Sequence, residues 1–173
     1  MKLSAIVFAG SLCVSAVAFA AQGVNDAQIA SIVVTANKVD IDAGKLAVAT
    51  STNAEVKSFG QMMVTDHTGV NKSATELVTK LKVTPEDNAT SKSLQEGGVK
   101  NVANLKTLKG AAFDKAYIDH EVAYHQQVLD AVDKTLIPGA KNDELKALLV
   151  KVRPAFVAHL EHAKQIQTAL AKK

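Results

Sequence analysis

The amino-acid sequence predicts an all-α protein, a bundle of four long amphipathic helices with a long crossover between the second helix and the third. Apolar residues recur at the helical period of 3.6 along four separate segments. No segment alternates apolar and polar residues as a half-buried strand would. The connections between the four segments are short, long and short in turn, and this order constrains the directions in which the helices run.

The first two helices are predicted to be antiparallel neighbours. Asn25 followed by Gln28 is a capping-box pattern that opens the first helix, and Thr52 with Glu55 opens the second in the same way. Only a few residues separate these helices, and so short a connection favours antiparallel packing. The second helix is predicted to stop at the Thr-Pro pair of residues 84–85, because a residue before proline avoids the helical conformation.

The crossover is a polar stretch that covers residues 85–112 and is predicted to contain two short helical pieces. One runs over residues 85–95 and the other over residues 99–108. Gly97 and Gly98 lie between them, and a pair of glycines is typical of a break between helices.

The last two long helices are joined by a second short connection. The third begins near Phe113 and ends before Pro138, and the fourth starts at the Asn-Asp pair of residues 142–143. Pro154 should kink or divide the fourth helix, because it cannot donate to the carbonyl of Val150. The long middle connection makes the second and third helices parallel, which is the ferritin-like arrangement, and the middles of all four helices then lie at one level.

One acidic or imidazole side chain interrupts the apolar face of each predicted long helix near its middle. These four are Asp40, His67, His125 and His159. Three neutral imidazoles and one carboxylate suit a divalent first-row transition metal, namely zinc, copper, iron or manganese, whereas calcium or magnesium would need more oxygen ligands. Because the paired Glu-x-x-His motifs of di-iron bundles are absent, the sequence predicts a single ion and no ferroxidase centre.

Three further side chains are candidates for additional ligands, each with a structural alternative. Glu121, one turn before His125, could be a fifth ligand, an acceptor that orients His125, or a solvated charge. Met63, one turn before His67, could offer a thioether to Cu(I) or fill core space. His162 could join the site near the edge of the bundle or be a surface residue.

A metal-free polar network is the alternative to a metal at the four central residues, since an aspartate facing histidines across a bundle can fix helix register. Asp42, Asp66 and His120 are expected to be surface or structural groups, because they fall away from the predicted site. Tyr117 and Tyr124 could donate hydrogen bonds beside the site or pack in the core with a wet hydroxyl.

Composition and motifs argue against several functions. The chain has 20 Lys and Arg against 17 Asp and Glu, and its basic residues are scattered without a run interleaved with aromatics, so nucleic-acid binding is not indicated. A Gly-x-Ser-x-Gly elbow and a phosphate-binding glycine loop are both absent. Turnover of superoxide or peroxide at a bound metal, and storage, buffering or sensing of that metal, all remain open. So does a metal-free structural or envelope-stress protein, and so, as a third class, does a bundle that binds a protein partner at the outer membrane.

The amino-terminal segment predicts export. Lys2 precedes the apolar run of residues 3–19, and the small residues Ala18 and Ala20 match a signal-peptidase site, so residues 1–20 are predicted to be a cleaved signal peptide. Cys13, the one cysteine, would leave with it. The mature domain is then predicted to be residues 21–173, with no membrane span, in the bacterial periplasm or outside the cell.

Several motifs resemble the ferritin-like family called domain of unknown function 4142, and the resemblance extends over nearly the whole mature chain. The matching segments are DIDAGKLA (Asp40 to Ala47), VKSFGQMMVTDHTGVN (Val56 to Asn71), FDKAYIDHEVAYHQ (Phe113 to Gln126) and the stretch from Pro154 to His159. The resemblance implies an exported bacterial protein of the kind labelled predicted outer-membrane protein, and its name assigns no activity. His67, His125 and His159 match the family's histidines, whereas Asp40 stands where the family usually has a glutamate.

Overall fold

The computed structural model describes residues 23–172, and throughout this range the chain is helical with no strand. Five long helices and two short elements follow one another: α1 (Asp26–Thr50), α2 (Ala54–Lys80), α3 (Ala89–Lys106), α4 (Gly110–Ala131), a π-helical turn (Val132–Leu136), α5 (Ile137–Gly139) and α6 (Asp143–Leu170). The predicted signal peptide, residues 1–20, lies outside the described residues. No helix between residues 23 and 172 is both long enough and apolar enough to span a membrane.

Asparagine side chains cap the amino termini of α1, α2, α3 and α6, whereas α4 begins after Lys109 without a side-chain cap. The capping box at Asn25 and Gln28 is confirmed, since the Asn25 carboxamide accepts from the Gln28 amide at 2.8 Å. The predicted cap at Thr52 is wrong by one residue, because Asn53 accepts from the first amides of α2. Asn142 caps α6 in the same way, as the sequence predicts. Each cap satisfies amides that would otherwise have no partner at the helix start.

The crossover contains one continuous helix, α3, and not the two pieces that the sequence predicts. Asn88 caps it, and the helix runs through Gly97 and Gly98 without interruption. A Cβ atom built at Gly98 would lie 2.7 Å from the Cγ2 atom of Val39. The glycine therefore allows α3 to pack closely on α1, and helix packing outweighs the low helix propensity of glycine.

Two other predicted boundaries are corrected by the structure. The second helix ends at Lys80, earlier than the predicted Thr-Pro pair, and Lys82 then adopts a positive φ of 55°. Pro154 does not divide the last helix, which continues through it. The carbonyl that Pro154 cannot reach belongs to Val150, a residue that is 52% exposed, so water can replace the lost hydrogen bond.

Hydrogen bonds between the helices show in which direction each helix runs relative to its neighbours. Asn71 of α2 donates to the carbonyl of Val34, and α2 runs antiparallel to α1. Ser51 at the end of α1 donates to Asp114 near the start of α4, while Asp26 at the start of α1 accepts from the Lys141 amide beyond α4. Helix α4 is therefore antiparallel to α1 and parallel to α2. The long connection through α3 joins these two parallel helices, as predicted.

The contacts of α6 with α2 and α4 show its direction. Lys80 at the end of α2 pairs with Glu144 at the start of α6, and Gln167 near the end of α6 donates to Asp119 of α4. Helix α6 thus runs antiparallel to both α2 and α4, in the same direction as α1. Helix α3 packs mainly against α1.

Helices α1 and α2 approach so closely that their backbones are nearly in contact. A Cβ atom at Gly44 would lie 2.8 Å from the carbonyl oxygen of Gly60, and one at Gly60 would lie 2.9 Å from the carbonyl oxygen of Gly44. This contact fixes the register of the two helices one turn beyond Asp40 and two turns before His67.

Of the three apolar clusters among the described residues, the two largest fill the interior at different levels, and the third consists of Leu129, Phe156 and Leu160 of α4 and α6. One contains Ile29, Ile32, Val33, Val132, Leu145 and Leu149, and the other contains Val56, Phe59, Met63, Phe113, Ile118 and Ile166. Along α1, α2, α4 and α6 the polar residues of the candidate site lie between these two clusters. The site is therefore enclosed by apolar side chains along the helix axes.

Candidate metal centre

Three histidines from three helices meet in the interior. His67 of α2, His125 of α4 and His159 of α6 are each exposed by 2% or less. Their ring centroids are 5.6 Å apart for His67 and His125, 5.2 Å for His67 and His159, and 5.5 Å for His125 and His159. One nitrogen from each ring lies within 4.8 Å of the other two.

A hydrogen bond holds one ring nitrogen of His67. Its Nδ1 atom lies 2.7 Å from the carboxamide oxygen of Asn37 on α1. The orientation of that carboxamide is fixed because its nitrogen donates to the carbonyl of Val33 at 2.8 Å. The oxygen can only accept, so the Nδ1 atom of His67 carries the proton and the Nε2 atom carries a free lone pair.

The other two histidines are held in the same manner by acceptors. The Nδ1 atom of His125 lies 3.0 Å from the backbone carbonyl of Glu121, and the Nε2 atom of His159 lies 2.9 Å from a carboxylate oxygen of Asp66. Each ring is left with one buried nitrogen that has no hydrogen-bond partner within residues 23–172: Nε2 of His67, Nε2 of His125 and Nδ1 of His159. Three rings, each protonated on its held nitrogen, thus present three bare lone pairs within the interior.

Two buried carboxyl groups adjoin the histidines. Asp40 of α1 is 2% exposed and Glu121 of α4 is fully buried. A carboxylate oxygen of Asp40 lies 3.5 Å from Nε2 of His67, and one of Glu121 lies 3.5 Å from Nδ1 of His125. Asp40, Glu121 and His125 form a second group whose donor atoms lie within 4.8 Å of one another. His125 therefore belongs both to the histidine group and to the carboxyl pair.

Burial keeps the three imidazoles neutral. It lowers the pKa of His125 from 6.5 to about 3, with a further lowering from the nearby His159. Burial also lowers the pKa of His67 well below 6.5, and the neighbouring His125 and His159 lower it further. The pKa of His159 is lowered by burial, although the hydrogen bond to Asp66 acts in the opposite direction. Neutral imidazole is the form that binds metals.

Burial acts on the carboxyl groups in the opposite sense. It raises the pKa of Glu121 from 4.5 to about 8. The pKa of Asp40 is raised well above 3.8, first by burial and then by the negative charge of Glu121. Without a cation Glu121 therefore retains its proton near neutral pH, and a cation that binds beside the two carboxyls would favour their ionised forms.

The structure brings together all four residues that the sequence singles out, Asp40, His67, His125 and His159, and adds Glu121 to them. The expectation that Glu121 could be a solvated charge is wrong, because its side chain is fully buried. Asp66, which the sequence places among surface groups, is partly exposed but holds His159.

The remaining candidates lie outside the two donor groups. Met63 packs in the apolar cluster with Val56 and Phe59, which agrees with core filling. His162 lies edge-on against Phe59, with ring centroids 5.4 Å apart. His120 stacks on Tyr124 and is partly buried, and its pKa is lowered to about 4 by burial.

Three residues near the site remain: the sequence analysis did not single out Asn37, and it left the roles of Tyr117 and Tyr124 open. Asn37 holds His67, and its signal is a polar side chain one turn before Asp40 on the same face of α1. Tyr124 donates to the carbonyl of Ala36 at 3.1 Å and so ties α4 to α1 beside the site. Tyr117 is fully buried, and its hydroxyl has no partner among the described residues.

The donor set fits a transition-metal ion. Three nitrogens around a tetrahedral zinc ion are about 3.3 Å apart when each Zn–N bond is about 2.0 Å. The three imidazole nitrogens lie within 4.8 Å of one another, so each needs to move by less than about 1 Å to reach such an ion. Mixed imidazole and carboxylate donors suit zinc, iron, manganese or copper.

Comparisons with known proteins identify the family and no individual relative. Neither the curated proteins nor the solved structures contain a significant match. A family model described as a domain of unknown function, DUF4142, matches residues 14–166, a range that contains all five buried donors. The chain therefore belongs to the domain of unknown function 4142 family.

Proposed function

We propose that this protein binds one divalent first-row transition-metal ion through His67, His125 and His159, with Asp40 and Glu121 as adjoining carboxylate donors. The function of the protein is then metal storage, metal buffering or redox defence that uses the bound ion. The observation that carries the proposal is that each of the three rings is held on one nitrogen by an acceptor while its other nitrogen is buried and unpartnered.

This pattern is the one that metal-binding histidines show. A histidine that binds a metal almost always donates its second ring nitrogen to a carboxylate, a carbonyl or water, which fixes the tautomer and raises the basicity of the metal-binding nitrogen. Here the acceptors are the carboxamide of Asn37, the backbone carbonyl of Glu121 and the carboxylate of Asp66. Three such arrangements around one point favour a common ligand for the three lone pairs.

Charge balance also favours a divalent cation. An ion of charge +2 beside the carboxylates of Asp40 and Glu121 gives a site with no net charge, whereas two unpaired buried carboxylates would be strongly unfavourable. The three imidazoles add no charge because their pKa values are lowered. A cation of this charge would therefore stabilise the ionised form of both acids.

A metal-free polar network is energetically the weaker explanation. Each unpartnered buried nitrogen costs about 1–3 kcal/mol. The three histidine nitrogens alone would then cost about 3–9 kcal/mol, which is a large share of the roughly 5–15 kcal/mol by which domains are stable. Partly satisfied polar networks are less stable than either complete networks or apolar cores.

We also propose a fold type for the helices that carry the site and a cellular compartment for the protein. We take α1, α2, α4 and α6 to be the four helices of a ferritin-like bundle, with α3 as part of the crossover, since α2 and α4 run parallel and the donors come from all four helices. The amino-terminal sequence supports cleavage near Ala20 and residence in the bacterial periplasm or outside the cell.

The decisive experiment is elemental analysis of the protein purified from its native compartment. The proposal expects about one equivalent of a single transition metal, the capacity of one three-histidine site. A His67→Ala/His159→Ala double variant should lose it. A His120→Ala/His162→Ala variant is the matched control, because it also removes two histidines, both partly buried, but none of the donors.

Retention of the metal by the first variant, or its absence from the wild-type protein together with unchanged stability after chelation, would overturn the proposal. A second measurement separates buffering from redox defence. If the metal-loaded protein consumes superoxide or peroxide no faster than the His67→Ala/His159→Ala variant does, the ion is held and not used for turnover. In that case metal buffering is the function.

A further inference from the structure

A small cavity adjoins the candidate metal centre. Its volume is about 30 Å³, and it lies between α1, α4 and α6, with Leu94 of α3 closing one side. Asp40, His67 and Asn37 line the end at the metal centre. The rest of the wall is almost entirely apolar and includes Val33, Leu149 and Phe156.

The π-helical turn contributes to this space. Val132 and Leu136, its first and last residues, both line the cavity. A π-helical turn places five residues where an α-helix would place fewer, so the side chains on this face are shifted relative to those of α4, and such turns are frequent at functional sites. The π-helical turn thus adjoins the cavity at the level of the apolar cluster that contains Ile29, Ile32 and Leu149.

The size and lining of the cavity restrict what can enter it. Water is stable in a cavity only with two to four polar partners, and the apolar wall offers none outside the end at Asp40 and His67. An ion would lose its hydration without replacement. A cavity of about 150 Å³ accommodates benzene, and this one is far smaller, so the fitting guest is a neutral apolar molecule of two or three atoms.

The cavity also extends toward the surface. Gln127, Val128 and Val152 line it and are only half-buried, whereas Asp40 and His67 at the other end are 2% exposed. An apolar molecule gains free energy by leaving water for such a space, and apart from Gln127 near the surface the polar side chains that line the space lie beside the three histidines.

We infer that this cavity takes up dioxygen and brings it next to the metal centre. Dioxygen binding needs only the cavity. The further step, in which the bound dioxygen is supplied as a substrate to a metal ion, rests on the proposed function. Dioxygen is the occupant that joins the two observations, since it is apolar, small enough for the volume, and reactive toward divalent iron, one of the metals that these donors suit, although not toward zinc.

Methyl NMR of the protein under dioxygen pressure tests the inference. Dioxygen is paramagnetic and speeds the relaxation of the methyl groups that it touches. In both metal-free and zinc-loaded protein, the enhancement at the methyls of Val33 and Leu149 should exceed several-fold that at Ile118 and Ile166, which lie in the other apolar cluster.

A pair of matched variants locates the effect. Ala36 lines the cavity, and Ala36→Ile should fill it and remove the excess relaxation at Val33 and Leu149. Ala116→Ile makes the same change at a half-buried helix position beside the other cluster and should leave the excess unchanged. If Ala36→Ile does not fold, the comparison of the two clusters within the wild-type protein still decides the matter.

Two outcomes would overturn the inference: equal enhancement in both clusters, or contacts of Val33 and Leu149 with water and no excess from dioxygen. Failure of the metal proposal is a separate result. If the protein binds no zinc but shows the excess relaxation, the dioxygen inference stands and the metal proposal fails. If the protein binds zinc without the excess relaxation, the metal proposal stands and the dioxygen inference fails.

Discussion

Replacement of Asp66 by alanine tests whether the carboxylate that holds His159 serves a metal. Asp66 lies on α2, outside the two donor groups, and accepts from Nε2 of His159 at 2.9 Å. Its removal leaves the tautomer of His159 unfixed and the Nδ1 lone pair less basic. Loss of such an acceptor lowers metal affinity by about 10–100-fold, which corresponds to about 1.4–2.8 kcal/mol of binding free energy.

Proton competition does not cancel this loss. The hydrogen bond that His159 donates to Asp66 raises the pKa of His159, whereas burial lowers it, so the Asp66→Ala variant should have a still lower pKa at His159. At pH 7.5 the ring is neutral in both proteins, because its pKa already lies below 6.5. The loss of affinity should therefore appear in full.

The assay is competition for Zn²⁺ with a chelator of known affinity at pH 7.5. The control is Asp42→Ala, since the Asp42 side chain is 43% exposed, like that of Asp66, and pairs with Lys38 on the surface of α1. Asp42→Ala should bind zinc as the wild type does. An Asp66→Ala affinity within about twofold of the control would refute the reasoning, since positioning acceptors are worth tenfold or more.

Three further predictions concern stability. Zinc at about 100 times its Kd should raise the free energy of unfolding of the wild-type protein by about 2.7 kcal/mol, and chelation should reverse the gain; denaturant unfolding of the His67→Ala/His159→Ala variant should show neither change. The metal-free protein should be most stable near pH 6.5, measured as urea unfolding against pH. Below that pH the unfolded chain protonates four histidines whose pKa is lowered in the fold, His67, His120, His125 and His159, and these four outweigh the two acids whose pKa is raised. From pH 6.5 to about 8 stability falls, because folded Glu121 still holds a proton that the unfolded chain has lost. Glu121→Gln should weaken the decline on the alkaline side, and a decline that is unchanged by this substitution would contradict the assignment. Gly44→Ala should destabilise the fold by about 1–3 kcal/mol, because its Cβ would lie 2.8 Å from a carbonyl oxygen, whereas Gly69→Ala, with nothing within 4 Å, should stabilise it by roughly 0.5–1 kcal/mol; thermal unfolding of the two variants should shift in opposite directions.

The convergence of the donors was readable from the sequence because burial enforces periodicity. A histidine on an otherwise apolar helical face must enter the interior, and the order of short and long connections brings the helix middles together. His67, His125 and His159 could therefore be predicted as neighbours without knowledge of any contact. The buried position of Asp40 follows from the same argument, and the structure agrees.

The partners of the histidines were harder to predict, since they depend on packing between helices. Asp66 lies at the edge of the apolar face of α2, where helical phase alone does not distinguish a solvated acid from one that reaches across to α6. Gly98 has the same difficulty, because a glycine that breaks a helix and a glycine that admits a neighbouring valine are identical in the sequence. Both are decided by contacts between distant segments.

The position of the donors between two apolar clusters has a kinetic consequence. An ion held there has no polar route outward through either cluster, and on the remaining side the partly exposed carboxylate of Asp66 is hydrogen-bonded to His159. Its release therefore requires that α2 and α6 separate locally, and exchange should be slow on the time scale of such openings. Capture would then take place mainly while the chain is folding. The identity of the metal would be decided by whichever ions are abundant in the compartment in which folding is completed, and later changes in supply would have little influence on it.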